Sequence, residues 1–253
     1  MGRAGVWRAA RAFLCAWFLA ISWLLLPLLE QGGGTARANS FGVRVPILAY
    51  HNIDHSGSAY STSPEMLDAQ MVWLQAHGYT AISIWQFWDA MTVGAALPAN
   101  PVLLTNDDGW ASAVTFAEIL SRYGMVGNYF INNTSSLTAD QILLLAQNGP
   151  VQAHTATHQM MSHLGYDAQY AEIADNKAFI EGITGQPVRF IAWPFGDWNA
   201  SAVEAAVAAG IVGGLSLGGT GCVVGGVDLF NVPRIMMEGA DTIDTFASKV
   251  SAW

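Results

Sequence analysis

Residues 101–131 read PVLLTNDDGWASAVTFAEILSRYGMVGNYFI, and the order of patterns in them decides the fold. Val102, Leu103 and Leu104 form a short apolar run, so 101–105 is expected to be a strand that stops at Asn106-Asp107-Asp108-Gly109. Residues 111–123 carry a helical pattern closed by Gly124, and 126–131 return to an apolar, aromatic run that reads as a second strand. Strand, helix and strand in that order predict two parallel strands with a helix packed outside them.

The same alternation continues in both directions. Upstream, 45–50 reads as a strand. A helix over 64–77 has Ser63 as N-cap, Pro64 at its first position and Gly78 at its end. A strand at 79–84 and a short helix at 85–91 follow. Downstream come helices at 138–147, 167–183, 200–209 and 242–250, with strands at 150–153, 188–193, 211–215 and 230–232. About seven such units in a single domain predict an α/β fold closed into a distorted (β/α) barrel, with an open doubly wound sheet as the alternative. In either form, chemistry gathers where strands end and loops begin.

The start of the chain has a different character. Arg3, Arg8 and Arg11 precede an apolar stretch over 12–29, and Ala36-Arg37-Ala38 follows. That order reads as a secretory signal peptide over 1–38, an uncleaved anchor being the alternative, and either places the domain at 39–253 outside the cytoplasm: periplasmic, secreted or at the cell envelope. Removing the leader takes Arg3, Arg8, Arg11, Arg37 and Glu30 from the 10 basic and 19 acidic residues, leaving 6 and 18, a net charge of −12. Such a balance argues against nucleic acid as a partner and suits a neutral or cationic one. Cys222 is the sole cysteine after residue 38, so no internal disulfide forms there, and it reads as a small buried residue.

Three expected strand ends deliver ionisable groups to one face. Asp107 and Asp108 follow 102–104, His154 follows 150–153, and His51 follows 45–50. Side chains alternate along a strand, so adjacent carboxylates point apart, and one can ligate a metal while the other stays free as a base. His154 and His158, four apart, are expected on one helical turn with both rings on one face. Two imidazoles and one carboxylate leave open the coordination positions that a catalytic metal site requires. Zinc, cobalt or nickel would suit such ligands. Asp-Asp-Gly alone is a common turn, and two His four apart often mark only an exposed helix face. Their joint placement at strand ends gives them weight.

These residues resemble a known family. Leu104-Thr105-Asn106-Asp107-Asp108-Gly109 resembles the T-F-D-D-G motif of the polysaccharide deacetylases, the NodB-homology group or carbohydrate esterase family 4. His154-Thr155-Ala156-Thr157-His158 is similar to their H-[ST]-x-x-H motif, and Ala192-Trp193-Pro194-Phe195-Gly196 to their A-Y-P-[YF]-G segment. Val232-Pro233-Arg234-Ile235 is similar to a later L-P-R-I segment, and Pro46-Ile47-Leu48-Ala49-Tyr50-His51 to the opening of the poly-N-acetylglucosamine deacetylase branch.

The resemblance implies a metal-dependent hydrolase that removes acetyl groups from a polysaccharide. It implies Asp107 as general base, Asp108, His154 and His158 as ligands of a divalent ion (zinc, cobalt or nickel), and His51 as general acid. The expected substrate is an N-acetylglucosamine polymer. O-acetylated xylan, peptidoglycan and chitin are alternatives, as is a glycan-binding module without catalysis. Trp110, Trp193, Phe195 and Trp198 lie near the motifs and are expected, with Arg234, to bind substrate. Two positions depart from the pattern: Asn106 replaces a Phe, and Ala192 stands where many relatives carry the Arg that orients the base. Arg189 and Arg234 are the candidate substitutes.

Overall fold

The computed structural model describes residues 40–252. The expected leader at 1–38 therefore lies outside the described residues. Pro46 divides the first expected strand. Arg44–Val45 pairs antiparallel with Cys222–Val223, and Ile47–Tyr50 joins the main sheet. That sheet has eight strands and every pairing in it is parallel, as strand–helix alternation requires. From one side its order is Gly213–Leu215, Phe190–Ala192, Val151–Ala153, Asn128–Ile131, Pro101–Asp108, Ile47–Tyr50 and Ile235–Met236. Thr80–Ala81 pairs with the first two residues of Pro101–Asp108, and Asn128–Ile131 with its last four. Asn128 closes the gap between them. Its buried carboxamide accepts from Ile84 N at 2.7 Å and donates to the carbonyls of Leu104 and Ile82.

The two ends of the sheet meet at one short segment. Val232 bridges to Leu215, while Ile235–Met236 pairs with Leu48 and Ala49, so 232–236 joins the last strand to the first and the sheet curls into a distorted barrel. Along Pro101–Asp108 the side chains alternate. Val102 and Leu104 belong to the large cluster under the helices, whereas Leu103 packs in the inner cluster with Ile47, Phe130 and Phe190. Seven α-helices are present among the described residues, and Ile84–Val93 contributes Ile84, Phe87, Ala90 and Met91 to the inner cluster.

Several boundaries differ from expectation for local reasons. Ser83 caps the helix Ile84–Val93 through a capping box with Gln86, which ends the preceding strand at Ala81. The strand expected at 230–232 is a single bridge at Val232, and the ladder falls instead on Ile235–Met236. The central strand does not stop at Asn106 but runs through Asp108, because Asp107 and Asp108 still pair with Phe130 and Ile131. Cys222 is buried, and burial pushes its thiol up to about 12, which leaves it inert. Among the described residues no helix is long and apolar enough to cross a membrane.

Candidate metal centre and cleft

The extended central strand decides how its two carboxylates part company. Asp107 turns into the barrel interior, 1 % exposed, where Arg234 meets it with two parallel bonds: Nη1 to Oδ1 at 2.7 Å and Nη2 to Oδ2 at 2.6 Å. Arg234 is itself fully buried. Its Nε donates to Ser216 O, its Nη1 also donates to Thr105 Oγ1, and its guanidinium lies 5.7 Å from the Phe130 ring centroid. Burial alone would raise the Asp107 carboxyl, but the Arg234 guanidinium, with His154 and His51 beyond it, holds it below the usual carboxylate range. Arg234 thus fills the role left open by Ala192, and Arg189 is exposed.

Asp108, the last residue of the strand, has a left-handed φ of 73° and faces the opposite way. Its Oδ1 lies 3.2 Å from His154 Nε2 and 3.1 Å from His158 Nε2, while its Oδ2 accepts from the Trp110 indole N–H at 3.0 Å. One ligand atom from each of Asp108, His154 and His158 falls within 4.8 Å of the others. The separations fit a cation: a tetrahedral ion with bonds of about 2.0–2.1 Å sets its ligands about 3.3 Å apart. The tautomer fits as well. His154 Nδ1 lies 2.7 Å from Ala192 O, and a carbonyl only accepts, so Nδ1 carries the proton and Nε2 of the neutral ring offers its lone pair. Burial opposes ionisation of Asp108, yet the imidazoles of His154 and His158 beside it hold its carboxyl well below the usual range.

The two histidines do not share a helical turn, contrary to the i, i+4 expectation. Residues 154–158 form a loop in which Thr155 and His158 adopt left-handed φ of 62° and 59°. The helix Tyr166–Thr184 holds that loop from below. Asn176 accepts from His154 N at 2.8 Å, and Glu172, one turn earlier, accepts from Thr157 N at 2.7 Å and from Thr157 Oγ1 at 2.5 Å. Of the five non-glycine residues with positive φ among those described, Asp108, Thr155, His158 and Phe195 all lie at this centre. Backbone strain concentrated in this way marks a site fixed by its surroundings.

Above the three ligands opens a cavity of about 380 Å³ lined by His51, Tyr60, Asp107, Phe195, Leu217 and Met236 as well as the triad. The Phe195 ring stands edge-on to His158 at 4.7 Å and is exposed. His51 sits at the end of Ile47–Tyr50. Its Nδ1 is buried without a partner, burial lowers its pKa, and its backbone carbonyl accepts from Asn106 Nδ2 at 2.7 Å.

Not every expected substrate contact reaches this cavity. Trp193 is fully buried, its indole N–H donating to Phe230 O at 2.9 Å, and it packs so tightly that a Cβ on Gly214 would lie 2.5 Å from its Nε1. Trp198 is half-buried against the helical core cluster. Arg234 contacts Asp107 and does not line the cavity, so it is a positioning residue. Phe195 lines the cavity, and Trp110 lies beside it at Asp108. Tyr60, Leu217 and Met236 escaped the sequence reading, because Tyr60 and Leu217 stand in loops with no motif around them and Met236 lies one residue past the Val232-Pro233-Arg234-Ile235 segment.

A parallel barrel with a carboxylate and two imidazoles at metal-ligand spacing, set beside a buried carboxylate–guanidinium pair, defines an α/β protein with a metal-competent cleft at its strand ends. The polysaccharide deacetylase family profile matches residues 94–214, which include Asp107, Asp108, His154, His158 and Phe195 but neither His51 nor Arg234. YxkH of Bacillus subtilis (strain 168), named as a polysaccharide deacetylase, is 29% identical over 170 residues, 64% of this chain and 61% of that protein. Among solved structures, the Streptococcus pyogenes deacetylase PplD in complex with acetate aligns at a TM-score of 0.76 and 22% identity, covering 83% of this chain and 99% of that one. A de-N-acetylase from Aggregatibacter actinomycetemcomitans aligns at 0.70 and 19% identity, covering 81% and 99%. The chain is thus similar to polysaccharide deacetylases in sequence over 94–214 and shares the fold of solved deacetylases.

Proposed function

We propose that this protein hydrolyses acetyl groups from a polysaccharide, that it works with a divalent metal held by Asp108, His154 and His158, and that its substrate is an N-acetylglucosamine polymer met outside the cytoplasm. One observation carries the reading. The three ligand atoms converge at the floor of the same cavity that Asp107 and His51 line. The de-N-acetylase likeness supports an amide as the bond broken, and the basic, apolar and small-residue order of 1–38 supports export.

A divalent ion in this position supplies Lewis acidity, which makes water easier to deprotonate and an acetyl carbonyl easier to attack. The protein's own groups do the rest. Asp107, kept ionised by Arg234, accepts the proton from the water that attacks the acetyl carbon. The Phe195 backbone N–H, on its left-handed turn, donates toward the oxygen that becomes negative. His51 Nδ1 is shut away, so Nε2 delivers the proton to the departing nitrogen as the C–N bond breaks. Acetate and a free amine result.

The test is acetate release from N-acetylglucosamine oligomers and from acetylated xylan, with and without a chelator. Chelator-sensitive release from the oligomers is expected. Release from xylan alone would move the substrate to O-acetyl esters, and release from neither by metal-loaded protein would remove the hydrolase reading. An Asp107→Asn variant should bind metal as the parent does while losing roughly 10²–10⁴-fold in turnover, the usual share of a general base.

A further inference from the structure

Trp110 stands two residues past Asp108, and its ring is 48% exposed, so packing alone does not hold it. What holds it is its indole N–H, which donates to Asp108 Oδ2 at 3.0 Å. The backbone beneath the ring is fixed from both flanks. On one side Ser136 N donates to Gly109 O at 3.1 Å and Ala111 N to Ser136 Oγ at 2.8 Å. On the other, Ser112 Oγ accepts from Ile53 N at 3.1 Å and donates to Asn52 Oδ1 at 3.2 Å. Ala113 N closes the turn on Trp110 O at 2.8 Å. Gly109, at a φ of 73°, permits that path, since a Cβ there would lie 2.7 Å from Ser135 Cβ.

The indole bond gives the two oxygens of Asp108 different work. Oδ1 faces His154 Nε2 at 3.2 Å and His158 Nε2 at 3.1 Å, whereas Oδ2 faces Trp110. An indole N–H is a donor with no lone pair to offer. It therefore neither ligates a cation nor exchanges roles with the carboxylate, as a hydroxyl or an imidazole in its place could. A hydrogen bond to a charged acceptor is also among the stronger ones, so it competes with an ion for Oδ2.

We infer that Trp110 is a positioning residue for the metal ligand Asp108: its indole N–H keeps Oδ2 turned away from the ion, so that Asp108 ligates through Oδ1 alone and a coordination position stays open. The inference rests on the metal-dependent reading above and deepens it. An exposed aromatic ring beside the cleft thus acts through the ligand it holds, in the way that outer partners orient the first ring of metal ligands. Released from the indole, the carboxylate turns and offers both oxygens, which closes a position that water or an acetyl oxygen would use.

The test compares Trp110→Phe, which keeps a ring and loses the donor, with Trp110→Gln, which keeps a donor and loses the ring. Metal-stripped proteins are titrated with zinc by calorimetry and, separately, loaded with cobalt(II), whose visible absorption weakens as its coordination number rises. Trp110→Phe should weaken the zinc Kd about tenfold, the lower end of what an outer partner contributes, because water reaches this half-exposed position and partly replaces the donor. Its cobalt absorption should fall severalfold. Trp110→Gln should stay near the parent in both measurements. An unchanged Kd or an unchanged cobalt spectrum in Trp110→Phe would overturn the assignment. Equal losses in the two variants would also overturn it, since the ring itself would then matter, as would loss of the parent's far-UV circular dichroism in stripped Trp110→Phe. A ring that served substrate alone would move neither metal measurement in either variant. A parent that binds neither zinc nor cobalt removes the metal-dependent reading itself, whereas a parent that binds both, with variants that match it, removes only the role of Trp110.

Discussion

Asn106 is 1% exposed on the helix-facing side of the central strand, where the family's Phe would add apolar bulk, and its carboxamide reaches the backbone carbonyl of His51. One strand end is thereby tied to the other, and the imidazole that faces the cleft rides on that tie. Asn106→Leu leaves a buried carbonyl without its donor, which should cost about 1–3 kcal/mol of stability. The kinetic consequence depends on the leaving group. An amide nitrogen must be protonated as it departs, whereas a nitrophenolate need not be, so turnover on an N-acetyl oligomer should fall about tenfold, a part of the roughly 10²–10⁴-fold that a positioned proton donor supplies. Nitrophenyl acetate hydrolysis should fall far less. Equal losses on both substrates would make Asn106 a packing residue only. Arg234 shows the same logic in stronger form. Both oxygens of Asp107 are occupied by a guanidinium that comes from the segment closing the barrel.

At the scale of elements, the loop 154–158 depends on its neighbouring helix. Tyr166–Thr184 presents Asn176 and Glu172 one turn apart, and these grip the backbone at His154 and Thr157. Between those anchors Thr155 and His158 hold left-handed φ values that no intrinsic preference favours. Glu172→Ala should therefore release His158 and weaken divalent metal binding roughly 10- to 100-fold, as loss of an outer partner of a ligand usually does. Calorimetric titration with zinc checks this, and an unchanged Kd would show that the loop holds itself. The sequence made the alternation of strands and helices legible, and Ser63 caps the helix that follows it as read, whereas the caps at Ser83 and Thr138 lay inside an expected strand and an expected helix. It also made the four residues of the two motifs legible as neighbours. It misjudged the H-x3-H segment because spacing of four suits a helix, and the strain that bends it elsewhere is held by Glu172 and Asn176, distant in sequence. It placed Trp193 near substrate because an aromatic after a strand looks the same whether its ring faces the cleft or, as here, the core. Arg234 was legible as one of two candidates, and the curl of the sheet chose between them.

Across the whole molecule, the centre joins parts of the chain that the unfolded state keeps apart. Asp108 ends the central strand, His154 and His158 lie two strands along the sheet, and Asp107 is bound to the segment that links the sheet's two ends. An ion held by Asp108, His154 and His158 binds the folded chain far better than the unfolded one, so it stabilises the fold by mass action. At a free concentration of 100 times Kd the gain is about 2.7 kcal/mol, which for a domain of this size raises Tm by about 5–10 °C. Adding zinc to metal-stripped protein should produce that shift and a chelator should reverse it, with differential scanning fluorimetry as the measurement. Asp108→Ala should abolish the shift. Asp107→Asn should keep it, because Asp107 faces Arg234 and not the ligand cluster. The two variants thus distinguish the roles of adjacent carboxylates without any substrate, and a shift lost in both or kept in both would contradict the division of labour between them.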